Sequence, residues 1–283
     1  VAESDGKKFL IRLYESNALL ILLALSFLAF LITKSVIFAV ITGVLILSLF
    51  VLDIVAGVQR HGFSKEIMEV GIAVAIALVA WFGISFILNT SSPISAIVSC
   101  SMLPSFERGD MIILQGVPPS EIKAPEAAVD SSMLDAVLNS THVPCGSTAF
   151  GLDYLCASCI RLKPGQATQE IYVKCARGLA VSGRPVNENL TNDVIVYTPR
   201  PSLSSFKGDI IHRVFAKLTD GNRTVFLTKG DNNDYFDSSM FGAVPQETVK
   251  GKVLLRIPYL GYLKLFISGF FTEPGGCDTV LQH

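Results

Sequence analysis

Ser99-Cys100-Ser101-Met102-Leu103-Pro104-Ser105-Phe106-Glu107-Arg108-Gly109-Asp110 stands between two unlike parts of the chain. Upstream lies almost unbroken apolar sequence. Downstream a short apolar run, Met111-Ile112-Ile113-Leu114, opens a region punctuated by Gly, Pro, Asn and Asp. Taken alone, the stretch reads as a turn between strands, because Ser, Pro, Gly and Asp all favour turns. Its position, directly after the last long apolar run, makes it the hinge of the organisation.

Working upstream, residues 16–33 carry no charge, residues 36–58 carry only Asp53, and residues 67–88 carry only Glu69. Each run is close to the roughly 20 residues that cross a bilayer as a helix. A single run would fit a signal peptide or a buried core helix, but three in series predict three N-terminal transmembrane helices. The composition agrees, with 50% hydrophobic and 17% charged residues and a mean hydropathy of +0.50. A net charge of −1 implies no basic surface for nucleic acid. Lys7, Lys8 and Arg12 precede the first run, Arg60, His61 and Lys65 lie between the second and third, and only Lys34 separates the first two. The positive-inside rule then places the N-terminus in the cytoplasm and everything after Asn89 outside it.

Downstream, β-type runs at 111–115, 170–174, 193–198, 209–218, 224–228 and 249–257 predict a mainly β extracytoplasmic domain. One helix is expected near 130–138, capped by Asp130 or Ser131. Residues 118–190 form an insert carrying Cys145, Cys156, Cys159 and Cys175. Two disulfides are the preferred reading outside the cytoplasm, with a zinc site on the same four residues as the alternative; the spacing does not give the pairing. Sequons at Asn139, Asn189 and Asn222 are compatible with an outside location. The boundaries read as 1–90 (membrane), 91–117 (hinge stretch and first strands), 118–190 (insert), 191–262 (remaining β domain) and 263–283 (an apolar C-terminal segment and tail). The aromatic stretch 259–271 suits either a β core or an interfacial segment at the membrane.

Four further segments turn the hinge stretch into something specific. Asn192-Asp193-Val-Ile-Val-Tyr197, Lys207-Gly-Asp209-Ile-Ile-His212-Arg213-Val214, Thr228-Lys-Gly230-Asp231-Asn232-Asn233-Asp234-Tyr-Phe-Asp237 and Ile257-Pro-Tyr-Leu-Gly261 follow in order. Together with Ser-x-Ser-Met-x-Pro and Gly109-Asp110 they resemble the boxes of type I signal peptidases, covering most of residues 97–262 apart from the insert. A histidine before Arg-Val, where bacterial members carry lysine, marks the archaeal and endoplasmic-reticulum type.

The resemblance implies a β-barrel-type catalytic fold and serine-type hydrolysis of signal peptides from exported preproteins. It makes Ser101 the nucleophile, His212 the base and Asp237 the acid, with Asp231 and Ser99 in supporting roles and no cofactor. A serine hydroxyl needs a neighbouring base, imidazole titrates in the useful range, and a carboxylate orients the ring. Alternation of Ile210, His212, Val214 and Ala216 puts His212 on one face of its strand. Cys100 is the wrong residue for the nucleophile in this pattern, and Asp234 is expected to be solvated. The implied partners are signal peptides, the lipid bilayer and the protein translocation channel, with no nucleic acid. The alternative function is a catalytically inactive subunit or receptor for secreted chains.

Overall fold

The computed structural model describes residues 17–141, 143–163 and 169–282. Lys7, Lys8, Arg12 and the first residue of the first apolar run lie outside the described residues. The chain divides into two compact units.

The helical unit takes the described part of residues 1–84 together with Tyr262–Glu273. Its apolar runs form α1 (Ala18–Thr33), α2 (Val36–His61) and α3 (Phe63–Ile87). By length and composition α2 and α3 can each cross a membrane; the described part of α1 is shorter. Helix α3 begins four residues before the third apolar run, because its first turn, Phe63-Ser-Lys-Glu, is polar but helical. Helices α1 and α2 meet as a hairpin, with the Thr42 hydroxyl donating to Ser26 Oγ at 3.0 Å. Small residues recur along α3 (Gly71, Ala73, Ala75, Ala77, Ala80, Gly83), a composition that suits close helix packing. In the structure only Glu66 of α3 is buried, and its apolar side chains point outward all round.

The C-terminal aromatic stretch joins this unit rather than a β core. Gly261–Ile267 is a short helix. Its Tyr262, Leu265 and Phe266 are buried with Phe30 of α1 and Ala39 of α2. The Phe30 ring lies edge-on to both Tyr262 and Phe266 at 5.0 Å, the geometry that the ring quadrupoles favour. Lys34, in the α1–α2 turn, donates to the Tyr262 hydroxyl at 3.2 Å. Phe266 is thus buried, and the exposed apolar side chains of residues 262–273 are Leu263, Ile267 and Phe270.

The β unit takes Ser85–Gly261 and Pro274–His283. Its main sheet has the order β1 (Ile94–Ala96), β2 (Met111–Gln115), β12 (Val249–Ile257), β8 (Val194–Tyr197), β9 (Ile210–Thr219), β10 (Thr224–Lys229) and β11 (Val244–Pro245), with β3 (Glu126–Ala128) parallel to β9. The expected helix is present as Ser131–Leu138, and the Asp130 side chain accepts from Met133 N at 2.7 Å as its cap. The insert contributes a second sheet. Its centre is a long hairpin of β5 (Leu152–Lys163) and β6 (Gln169–Val181), flanked by β4 (Thr148–Ala149), β7 (Arg184–Asn187) and β13 (Val280–Leu281). Disulfides join Cys145 to Cys156 and Cys159 to Cys175. In this pairing none of the four sulfurs is the free thiolate that a zinc site on these residues would need.

A bulge in β9 sorts the side chains between two cores. Leu227 pairs with Ala216, but Thr228 pairs with Val214, leaving Phe215 as the extra residue. Up to Val214 the alternation runs as the sequence predicts, with Ile210 and Val214 in a core shared with Ile195, Tyr197 and Phe226. Beyond the bulge Ala216 turns to the other face. There Phe215, Ala216 and Leu218 pack with Leu134, Leu152, Tyr154 and Leu179 of the insert. The insert is thus seated on β9 and β10 by a continuous apolar core.

Phe215 lies at the centre of that core, with the Phe236 ring edge-on at 4.7 Å. Phe215→Ala should cost about 3–5 kcal/mol of stability. Tyr172→Ala, at an exposed position, should change it by less than about 0.5 kcal/mol. Thermal or urea unfolding of the two variants in detergent checks both values.

Candidate active site

The hinge stretch is a loop, and its shape follows from its residues. Gly109 sits at φ 90°, a left-handed conformation that strains any side chain. The Asp110 carboxylate accepts from Glu107 N at 2.7 Å and is ion-paired with Arg256 of β12. Arg256 also donates to Ser105 O at 2.8 Å. The Gly-Asp pair therefore closes the loop and ties it to the sheet.

The loop presents Ser101 to β9. His212 Nε2 lies 2.9 Å from Ser101 Oγ, and His212 Nδ1 lies 2.6 Å from Asp237 Oδ2. Asp237 is fully buried and His212 nearly so. With a carboxylate facing Nδ1, that nitrogen carries the proton and donates to Asp237, which leaves the Nε2 lone pair to accept from the serine. Ser99 Oγ is 3.2 Å from Ser101 Oγ. The structure thus brings Ser99, Ser101, His212 and Asp237 together in one hydrogen-bonded line.

Asp237 Oδ2 also accepts from Tyr197 Oη at 2.8 Å and from Thr228 Oγ1 at 2.6 Å. The β9 bulge is what turns Thr228 to the His212 face. Burial pushes the Asp237 carboxyl up, but the His212 charge and the bonds from His212, Thr228 and Tyr197 outweigh it and hold the carboxyl below its ordinary value. Burial, and then the Asp237 charge, push the Tyr197 phenol well above its ordinary value, so it stays a donor. Neither Tyr197 nor Thr228 stood out in the sequence, where both read as strand filler.

Asp231 is set back from this line. It takes the Arg213 guanidinium in a two-pronged pair, at 2.8 Å from Nε and 2.6 Å from Nη2. Arg213 reaches on to Asn192 O at 2.7 Å and Ser105 Oγ at 3.2 Å. The Asn192 amide in turn donates to Val214 O at 2.9 Å, next to the bulge. Asn192 thus ties Arg213 to the main chain beside the bulge. Asp234, expected to be solvated, is paired with Arg161 of the insert at 3.0 Å.

Gly230 explains the glycine of its box. A Cβ there would lie 2.6 Å from Ser101 O and 2.8 Å from His212 Nε2, closer than any side chain tolerates. Cys100 is bonded to Cys277 and is not a free thiol. That pair was missed; a count of six cysteines with four in the insert was the one signal for it.

These features define an arrangement of the acid–base–hydroxyl kind at the rim of a mainly β unit, in a chain that also carries apolar helices. The comparisons with known proteins point the same way. The chain is 24% identical over 218 residues to the signal peptidase complex catalytic subunit sec11 of Schizosaccharomyces pombe, covering 75% of this chain and 85% of that protein. It is 22% identical over 223 residues to the SEC11 subunit of Leptosphaeria maculans, covering 76% and 86%, and 23% identical over 212 residues to that of Neurospora crassa, covering 72% and 81%. No family model matches the chain. The likeness to signal peptidase catalytic subunits thus extends over about three quarters of the sequence.

Tyr197→Phe removes one donor from a buried carboxylate and should cost about 1.5–3 kcal/mol at neutral pH. A carboxyl whose value is lowered on folding stabilises fully above its ordinary value near 3.8. That contribution is lost as pH falls through the lower folded value. The gap between wild type and Tyr197→Phe should therefore narrow in acid below about that pH. Urea unfolding at a series of pH values measures it.

Proposed function

We propose that this chain is the catalytic chain of a membrane-anchored signal peptidase of the archaeal and endoplasmic-reticulum type, a serine endopeptidase that removes signal peptides from exported preproteins. The observation that carries the reading is the Ser101–His212–Asp237 line, with His212 and Asp237 buried, in a chain similar to catalytic subunits of the signal peptidase complex.

In this reading His212 Nε2 takes the proton from Ser101 Oγ as that oxygen attacks the scissile carbonyl carbon. Asp237 keeps the ring in the correct tautomer and stabilises the imidazolium. The Ser101 N–H and the Ser99 hydroxyl are the candidate donors to the oxyanion. His212 then passes its proton to the leaving amine, and water repeats the sequence on the acyl-enzyme. Asp231 supports the site through Arg213. The helices would be three spans, with the N-terminus and the Gly62 junction in the cytoplasm and the β unit outside it. Anchoring the enzyme in the bilayer that holds the substrate's apolar segment raises the effective concentration and fixes the height of the bond to be cut. Leu263, Ile267 and Phe270 suit an interfacial position. Signal peptides, lipid, companion subunits and the translocation channel are the partners in this reading.

Ser101→Ala, His212→Ala and Asp237→Ala should each lower preprotein cleavage in detergent by several orders of magnitude while the chain stays inserted and folded. Gly230→Ala should cost on the order of 100-fold, because Ser101 or His212 must shift by up to about 1 Å. Wild-type cleavage by Ser101→Ala would overturn the serine mechanism. A chain whose wild type cleaves nothing would favour the inactive subunit.

An accessibility reporter at Lys34 should read as external, and one at Gly62 as cytoplasmic. A cytoplasmic signal from the β unit would contradict the topology and the function together.

A further inference from the structure

We infer that the C-terminal strap, residues 276–282, together with the insert's Arg161, is a positioning element for the Ser101 loop. The disulfide Cys100–Cys277 is its covalent clasp. The inference rests on the reading of Ser101 as nucleophile and goes beyond it, because neither the tail nor the insert belongs to the resemblance that points to Ser101.

The observations converge on Asn232, a nearly buried side chain in the loop between β10 and Asp237. Its backbone N–H donates to Ser101 O at 2.7 Å. Its amide nitrogen donates to Cys100 O at 3.1 Å, and also reaches Thr279 O at 2.9 Å and Gly276 O at 3.3 Å in the strap. Its amide oxygen accepts from Leu281 N at 2.8 Å and from Arg161 Nη1 at 3.2 Å. One residue, through its backbone N–H and its amide, therefore holds the Ser101 and Cys100 carbonyls and the strap in a single network.

The strap is itself anchored at several points. Val280–Leu281 pairs with Arg161 and Leu162 of β5. Leu281 is buried with Cys159 and Cys175, and Asp278 is ion-paired with Lys163 at 3.0 Å. Arg161 donates to Asn232 O at 2.5 Å, to Thr279 Oγ1 at 3.3 Å and to Asp234 Oδ1 at 3.1 Å. The insert hairpin thus braces the strap, and the strap, through Asn232 and Cys277, braces the loop. Among the described residues, none of these groups is hydrogen-bonded to the Ser101 hydroxyl, His212 or Asp237. They act on where the Ser101 main chain sits. A displacement of the order of 1 Å at a reacting atom costs about 100-fold in rate, so a brace of this kind bears on turnover rather than on substrate affinity.

The test measures kcat and KM for preprotein cleavage by the full chain in detergent. Cys100→Ser/Cys277→Ser should lose about 10- to 100-fold in kcat, with KM within about twofold and an unchanged shape of the pH–rate profile, because the His212–Asp237 pair is not altered. Arg161→Gln should lose several-fold in kcat with the same signature. Cys145→Ser/Cys156→Ser, which removes a disulfide away from the strap, should keep the wild-type kcat. Wild-type kcat in the folded Cys100→Ser/Cys277→Ser chain would overturn the inference, as would an equal loss in Cys145→Ser/Cys156→Ser. Should the Cys100→Ser/Cys277→Ser chain not fold by circular dichroism, wild-type kcat in Arg161→Gln overturns it instead. Ser101→Ala run alongside separates the two levels. Activity in that variant removes the reading of Ser101 and the strap inference with it. An inactive Ser101→Ala beside a fully active strap variant removes the strap inference alone.

Discussion

A carboxylate with no exposed surface is the constraint around which the β unit is arranged. Asp237 is fully buried, and a charge in that position is tolerated only when donors replace the water it has lost. Three donors meet on one of its oxygens, from Tyr197 on β8, His212 on β9 and Thr228 on β10. Those strands are consecutive neighbours in the sheet. The order of the strands, the bulge that turns Thr228, and the loop after β10 that returns Asp237 to the sheet are all parts of one solution to the cost of that charge. The same solution orients the His212 ring toward Ser101.

Around this centre the chain uses main-chain proximity where other sites use side chains. Gly230 lets the β10 loop come within contact of Ser101 O and His212, and Asn232 then bonds to that carbonyl. Arg213 and Asp231 form a second layer, linking β9 to Ser105 of the Ser101 loop. Arg256 and Asp110 form a third, at the other end of that loop. Each Gly-Asp pair therefore does the same work at a different place. The glycine permits a turn or a close approach, and the aspartate locks it.

Much of this plan could be read in the residues. Length and lack of charge marked α2 and α3, since a helix that spans about 30 Å leaves a run too long to mistake. Alternation marked β2, β8, β9, β10 and β12, and Ser101, His212 and Asp237 stood out because the boxes that carry them recur in order. The insert hairpin was mostly invisible, apart from residues 170–174. Its strands carry Arg161, Lys163, Lys174 and Arg177; Leu152, Tyr154 and Leu179 enter the core, and the other end of the hairpin is held by a disulfide and by the tail. The partners of Asp237 were hidden for a different reason. Thr228 faces it only because of a one-residue bulge, which no local pattern announces. Arg161 pairs with Asp234 across 73 positions, and Cys100 with Cys277 across 177; separations of that size are written in the fold alone.

The separation of 177 residues between Cys100 and Cys277 also sets an order of events in the making of the chain. Synthesis at about 5–20 residues per second leaves Cys100 waiting on the order of 10 to 35 seconds for its partner. Throughout that interval the residue beside Ser101 lacks this partner, and Asn232, once made, has no strap to hold. A chain broken off between Asp237 and Cys277 carries the serine, the histidine and the aspartate without the clasp. The loop that carries Ser101 is thus closed covalently only after Cys277 has been made, later than every residue of the Ser101–His212–Asp237 line.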